Sequence, residues 1–322
     1  MQQECEAIME KTLNRLLDFF DIEDENGVSN LDKVHKYQKV LRRAETTDKS
    51  KSVEAVESTG ASGKIPNGII LKDGKIIGLG IHIYNEDVYP LKSFEINLRN
   101  CDLIGNLDIS DCTDMVFLDL YHNRISSIRS QNMPSMRIFG VQDTRLERID
   151  VTEIPACQGI DAGMNRLKKI DVSKNAELVE LYINDNAFTE IDLSHNAKLK
   201  YFYCHHNHIT ELDTRANPLL RHLNATGNPM KSIRSLAPQR EDRLPLELYA
   251  GDGGCVGLKF NPIYNAQWKE TGQWQQSYYA CPDEGFLFEG WYENGTKVSE
   301  EETWIDEYGT SRILHARFKN IL

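Results

Sequence analysis

Little in this sequence points to a membrane, a nucleic acid or a catalytic centre. It has no run of about 18 apolar residues, so no helix is expected to cross a bilayer. The first 30 residues carry neither the basic start nor the apolar stretch of a signal peptide. That fits a cytosolic protein, and equally a secreted one whose leader has been trimmed. Cations are in deficit, 37 Lys and Arg against 49 Asp and Glu, for a net charge of -12. So diffuse an acidic balance argues against nucleic acid or an anionic membrane as partner. The seven cysteines, Cys5, Cys101, Cys112, Cys157, Cys204, Cys255 and Cys281, form no CxxC or Cys/His zinc spacing. The GxSxG, HExxH, P-loop and GxGxxG contexts are missing too. The chain is therefore read as non-enzymatic, with no cofactor.

What the sequence does have is a repeat. Asn123, Asn165, Asn186, Asn207 and Asn228 stand in register at multiples of 21 residues, with Thr144 on the missing rung. An apolar pair precedes each rung: Leu118 and Leu120, Phe139 and Val141, Leu181 and Ile183, Phe202 and Cys204, Leu223 and Ala225. One more apolar residue follows: Ile125, Leu146, Leu167, Phe188, Ile209 and Met230. The frame is LxxLxLxxNxL, and it resembles the leucine-rich repeat family. Alternate side chains of a strand take opposite faces, so the leucine-type positions enter the core and the x positions face out. The Asn column then lies inside, where its amides satisfy backbone groups bared by the turn. A second apolar set, as in Ile170-Asp171-Val172-Ser173 and Ile191-Asp192-Leu193-Ser194, turns its apolar residues inward and leaves Asp and Ser in water. No convex segment has the length or period of a helix. The expected fold class is a repeat solenoid of α/β type, mostly β, with little convex helix. Stacked repeats bury apolar faces that no single one can.

Composition marks the boundaries. Residues 1–48 read as a helical N-terminal region, with Ile8, Leu13, Leu16, Leu17 and Phe20 at helical spacing. Residues 49–64, rich in Ser, Lys, Glu and Gly, read as a flexible linker. Residues 65–240 form the repeat domain with its N-terminal cap, entered through a hairpin at Asp73-Gly74-Lys75. Residues 245–322 hold all four tryptophans and no trace of the period. Their stretch from Ala280 to Gly295, with Gly251-Asp252-Gly253-Gly254-Cys255-Val256 and Leu314-His315-Ala316-Arg317-Phe318, resembles the B-repeat modules of bacterial internalin-like surface proteins. That resemblance implies a small β-grasp-like domain and, with the repeats, a bacterial protein that is secreted or at the cell surface; a cytoplasmic location is the alternative. Independently, Glu293-Asn294-Gly295 predicts a hairpin, with Phe286, Phe288 and Trp291 in its core. Cys204 reads as a buried thiol, and the sequence leaves open whether Cys255 pairs with Cys281. Cys281-Pro282-Asp283 is similar to the CxD of leucine-rich-repeat bacterial ubiquitin ligases, but it sits in a predicted hairpin rather than a helical domain.

Recognition is expected on the outward columns, spaced about 4.8 Å per rung. They read Phe117, Ile138, Gly159, Glu180, Tyr201, His222; then Asp119, Gly140, Asp161, Tyr182, Tyr203, Asn224; then Tyr121, Gln142, Gly163, Asn184, His205, Thr226. The candidate ligand-binding residues are Phe117, Tyr121, Tyr182, Tyr201, Tyr203, His205 and His222. Side-by-side exposed aromatics suit a protein or glycan ligand. Gly140, Gly159 and Gly163 are expected to leave a shallow depression beside them. The opposing reading is that tyrosine pairs only stabilise the sheet, in a structural spacer or an intracellular effector scaffold.

Two metal readings are weaker. His205, His206, His208, His222 and Asp185 gather nearby, but neighbours along a strand face opposite ways. Asp21 to Asp32 has acidic groups at loop positions 1, 3, 5 and 12, similar to an EF-hand or dockerin calcium loop. Asn26 stands where glycine belongs, and an ordinary acidic loop accounts for it equally. Arg124, Arg145 and Arg166 form a column that suits an acidic partner, with pairing to nearby Asp143, Asp161 and Asp185 as the default expectation.

Overall fold

The 21-residue rhythm becomes a rhythm of short strands. A computed structural model describes residues 14–34 (except 17), 69–72, 75–79, 98, 100–238, 244–264, 270–306 and 312–321. The 49–64 segment and most of the N-terminal region lie outside the described residues. The fold is a β-solenoid of about six turns with little helix. The chain divides into two compact units, Met1–Ile160 and Asp161–Leu322.

In the first unit, residues 14–16, 18–20 and 30–34 are helical. Leu16, Phe19, Phe20 and Val34 are buried there. The acidic loop between them is organised by Asp24, which accepts from the N–H groups of Asn26 (2.9 Å) and Val28 (3.1 Å) and pairs with Lys33 (3.0 Å). An ammonium group thus already neutralises this carboxylate. Ser29 accepts from the N–H of Asp32 (3.1 Å) and caps the following helix. Strands β1 (Ile69–Lys72) and β2 (Lys75–Leu79) form the expected hairpin, Lys72 opposite Lys75. β3 (Ile104–Asp108) precedes β4 (Phe117–Asp119), β5 (Arg124–Arg129) and β6 (Ile138–Gly140). β2, β4 and β6 pair in parallel, and β3 pairs with β5.

Strand β7 (Gly159–Asp161) carries the division between units. The second unit continues with β8 (Glu180–Tyr182), β9 (Tyr201–Tyr203), β10 (Glu211–Asp213), β11 (His222–Asn224) and β12 (Ser232–Leu236). After these come β13 (Pro245–Ala250), β14 (Gly254–Tyr264), β15 (Glu270–Pro282), β16 (Phe286–Glu293), β17 (Thr296–Ser299), β18 (Thr303–Asp306) and β19 (Ile313–Asn320). One parallel run is β8-β9-β11, which β14, β15 and β18 extend with antiparallel strands. The other joins β10, β12, β13, β19, β16 and β17. Strands after residue 244 therefore add to both sheets of the repeat. Glu293 opposes Thr296, with Asn294 and Gly295 at φ 49° and 79°, the backbone of a two-residue hairpin turn. Trp291 is fully buried, while Phe286 and Phe288 are only half-buried.

The asparagine column does what its pattern requires. Asn207 donates to the carbonyls of Ile183 (2.9 Å) and Cys204 (3.0 Å) and accepts from the N–H of Phe188 (3.0 Å). Asn186 and Asn228 repeat the scheme one rung away on either side, and Asn123 does so in the first unit. The residue before each Asn takes left-handed backbone, φ 53° to 65° at His122, Asp143, Met164, Asp185, His206 and Gly227. Asp, His and Gly enter that region more readily than most residues. Between the ladders lie Leu181, Ile183, Phe188, Phe202, Cys204 and Ile209, all fully buried. Each large one contributes about 2–3 kcal/mol of burial.

Candidate functional site

Parallel register in the second unit sets Glu180 beside Tyr201 and Tyr201 beside His222, and sets Tyr182 beside Tyr203. The rings use that proximity. Tyr201 stacks on His222 with centroids 4.3 Å apart and planes 18° apart. Tyr182 and Tyr203 lie 5.1 Å apart, tilted by 57°, and Tyr203 meets His205 edge-on at 6.3 Å. Tyr182, Tyr201, Tyr203, His205 and His222 thus form one strip over three rungs. The expected full exposure is not found. Tyr182, Tyr201, Tyr203 and His205 are half-buried, because each ring covers its neighbour, and His222 is buried. In the first unit Phe117 is buried and Tyr121 half-buried.

Burial also sets the charge of the strip. It pushes the His222 pKa down to about 4, with Arg221 adding repulsion. Burial likewise lowers His205, against the pull of Asp185. Glu180 is shifted the other way, raised by burial and by the neighbouring Asp161 while a bond from the Tyr182 hydroxyl (3.5 Å) opposes the rise. At neutral pH the two imidazoles are uncharged, so the strip presents aromatic faces rather than cations.

The expected glycine depression is absent at Gly140 and Gly163. A side chain on Gly163 would stand 2.9 Å from Asn184 Oδ1, so Asn184 already fills that space. At Gly140 a Cβ would sit 3.1 Å from the Leu118 carbonyl. These glycines serve close packing.

Asp185, His205 and His206 do come together, with ligand atoms all within 4.8 Å of one another. The expectation that the two histidines face apart fails because His206, at φ 55°, has left the strand. Its Nδ1 lies 2.9 Å from Asp185 Oδ1, and His205 Nε2 lies 3.9 Å from Oδ2. The donor set fits a metal poorly. An ion on His205 Nε2 would leave the proton on Nδ1, which is buried without a hydrogen-bond partner, whereas metal-bound imidazoles normally donate there. Lys259 adds repulsion. The arrangement works as a hydrogen-bonded acid–imidazole pair. Arg124 departs from its expected pairing with Asp143, since it pairs with Asp102 (2.6 Å) while His122 holds Asp143.

The opposite edge of the repeat holds two columns that the sequence reading left undeveloped. Asp171, Asp192 and Asp213 each accept from the N–H two residues on, at Ser173 (2.9 Å), Ser194 (2.9 Å) and Arg215 (3.1 Å). These are Asx turns, and their bonds hold all three carboxyls below the usual range. Asn196 and Asn217, both buried, form a second ladder. Asn196 donates to the carbonyls of Val172 (3.0 Å) and Asn175 (2.9 Å), and Asn217 to those of Leu193 and Asn196 (both 3.0 Å). The signal was visible as Asn175, Asn196 and Asn217 at the same 21-residue interval.

No protein-family model and no curated protein matches the chain. Among solved structures it is similar to the LRIM1/APL1C complex, at 22% identity over 40% of this chain and 25% of that one, TM-score 0.35. It is also similar to a functional domain of InlJ from Listeria monocytogenes that includes a cysteine ladder, at 14% identity, covering 59% and 50%, TM-score 0.27. A third is InlP from Listeria monocytogenes, at 14% identity, covering 89% and 97%, TM-score 0.29. The chain spans a quarter of the length of the first and half of the second. None of the helices in the described residues is long and apolar enough to cross a membrane.

Proposed function

We propose that this is a non-catalytic recognition protein that binds a protein or glycan partner on the aromatic strip of its second unit, secreted or at a bacterial cell surface. The contacts come from Tyr182, Tyr201, Tyr203 and His205, with His222 as the buried backing of Tyr201. Phe117 and Tyr121 lie in the first unit and are not part of this strip. The reading also treats residues 245–322 as a B-repeat-like module following the repeats. The observation that carries the proposal is the strip itself: stacked, half-buried rings with neutral imidazoles. Rings already held by their neighbours lose little side-chain freedom on binding, which favours affinity, and tyrosine is enriched where binding energy concentrates.

The test is a protein pull-down and a glycan screen comparing wild type with Tyr201→Ala/Tyr203→Ala, with folding checked by circular dichroism. We expect a partner retained by wild type and weakened at least about tenfold by the double variant, as for a hot spot worth more than about 1.4 kcal/mol. Equal retention would place the working surface elsewhere. The spacer reading draws on the same rings, since cross-strand aromatic pairs stabilise sheets; it gains if no partner is captured at all.

A further inference from the structure

Strands β14 and β15 pair antiparallel with Cys255 directly opposite Cys281. Residues opposed in this way project side chains to the same face. The N–H of Val256 turns away from β15 to the Met230 carbonyl (2.9 Å), so Cys255 and Cys281 are a hydrogen-bonded pair in the ladder. Such pairs have Cα atoms about 5.5 Å apart, at the commonest separation for disulfides. Each thiol acts on the acidity of the other, Cys255 being raised and Cys281 lowered. Cys281 is exposed and Cys255 half-buried, whereas Cys101, Cys112, Cys157 and Cys204 are buried. Lys231 stands beside the pair, donating to the Gly254 carbonyl, with its ammonium 3.9 Å from Asp283.

We propose that Cys255 and Cys281 form a redox-active dithiol that closes into a cross-strand disulfide by exchange with a small-molecule disulfide of the glutathione class. Cys281 attacks as the thiolate. It bonds to one sulfur of the small disulfide, whose S–S bond breaks and releases one thiolate, which takes up a proton. Cys255 then gives its proton to water and attacks the Cys281 sulfur, expelling the second small thiol. Two protein thiols are oxidised and one small disulfide is reduced to two thiols. The interaction with Cys255 draws the Cys281 thiol down to about 7, which makes it the attacker. Burial pushes Cys101, Cys112 and Cys157 up to about 12, so they stay protonated. The bond would staple β14 to β15. Because β14 pairs with β11, it would also firm the strand that carries His222.

The test is incubation of the reduced full chain with oxidised glutathione, followed by intact-mass and peptide-mass analysis under non-reducing conditions. Wild type should lose two hydrogens and yield one linked peptide pair, Cys255 to Cys281, reversed by excess reduced glutathione. Cys255→Ser should instead hold one glutathione on Cys281, and Cys281→Ser should react at least about tenfold more slowly, as its remaining thiol is the weaker acid. Two glutathione adducts on wild type, linkage of either residue to Cys5 or to another molecule, or no change in mass would each overturn the proposal.

Discussion

Two edges of the second unit's repeat recur at the same 21-residue interval yet behave differently. The edge at 171–175, 192–196 and 213–217 repeats two of its columns, Asp171, Asp192, Asp213 and Asn175, Asn196, Asn217, with Ser173 and Ser194 giving way to Arg215 between them. The edge at 180–184, 201–205 and 222–226 varies more: Glu180, Tyr201, His222; Tyr182 and Tyr203 but Asn224; Asn184, His205, Thr226. On the first edge each side chain closes a turn or bridges rungs, so backbone geometry dictates its identity. On the second, the strands are already satisfied by parallel pairing, and the side chains are left to choose. Repetition marks the scaffold, and variation marks the surface available for recognition.

The largest test of this contrast lies between the two ladders. Asn207→Ala leaves the buried Phe188 N–H without its partner, while the carbonyls of Ile183 and Cys204 keep bonds from Asn186 and Asn228, and should cost about 1–3 kcal/mol in urea unfolding. Asn196→Ala orphans neither carbonyl, since Val172 and Asn175 still accept from the N–H groups of Asn175 and Leu178, and should cost only about 1 kcal/mol, the net value of lost hydrogen bonds. Equal losses would mean that the ladders are not distinguished by their bonding.

Titration offers the next test. The folded pKa of His222, about 4, lies below its ordinary 6.5, so the fold favours the neutral ring. The stabilisation is whole above pH 6.5 and is lost as pH falls toward 4, on the order of 3 kcal/mol. His222→Gln should lack this limb in stability measured against pH. Asp192 and Asp213 act in the same direction lower down, their stabilisation disappearing as pH drops below 3.8. Glu180 has the opposite sign. Its raised pKa favours the fold below 4.5 and penalises it as pH rises through the folded value. Glu180→Gln should therefore raise the melting temperature at pH 7, with the gain vanishing below pH 4.5. A lowered melting temperature at pH 7 would show that the carboxylate is well solvated.

Smaller effects follow. Gly227 sits at φ 65°, and a Cβ there would stand 2.4 Å from His206 Cδ2. Gly227→Ala should cost about 1–2 kcal/mol of stability and weaken the His206–Asp185 bond, visible in the imidazole chemical shifts. Asp192→Ala removes one Asx turn and should cost about 0.5–1 kcal/mol.

How much of this was legible beforehand follows the same division. The asparagine column, its apolar neighbours and the strand register could be read because periodicity reports buried positions directly. The Asn294-Gly295 turn was legible because few residues accept positive φ. Burial within the strip was not. The outward columns told which rings are neighbours, but not that Tyr201 and His222 stack closely enough to bury the imidazole. The left-handed turn at His206 was hidden for a related reason: strand alternation does not extend the three residues from the end of β9 to His206, so His205 and His206 need not face apart. Asn184 over Gly163 shows a third limit, since a glycine column suggests a hollow only while its neighbours are ignored.

The most direct measurement is a side-by-side capture experiment with two double variants, Tyr182→Ala/Tyr203→Ala on the varied edge and Asp192→Ala/Ser194→Ala on the repeated edge. Partner retention, normalised to folded protein, should fall at least about tenfold for the tyrosine pair and stay at wild-type level for the other. Loss from the aspartate–serine variant alone would contradict the account and move recognition to the repeated edge.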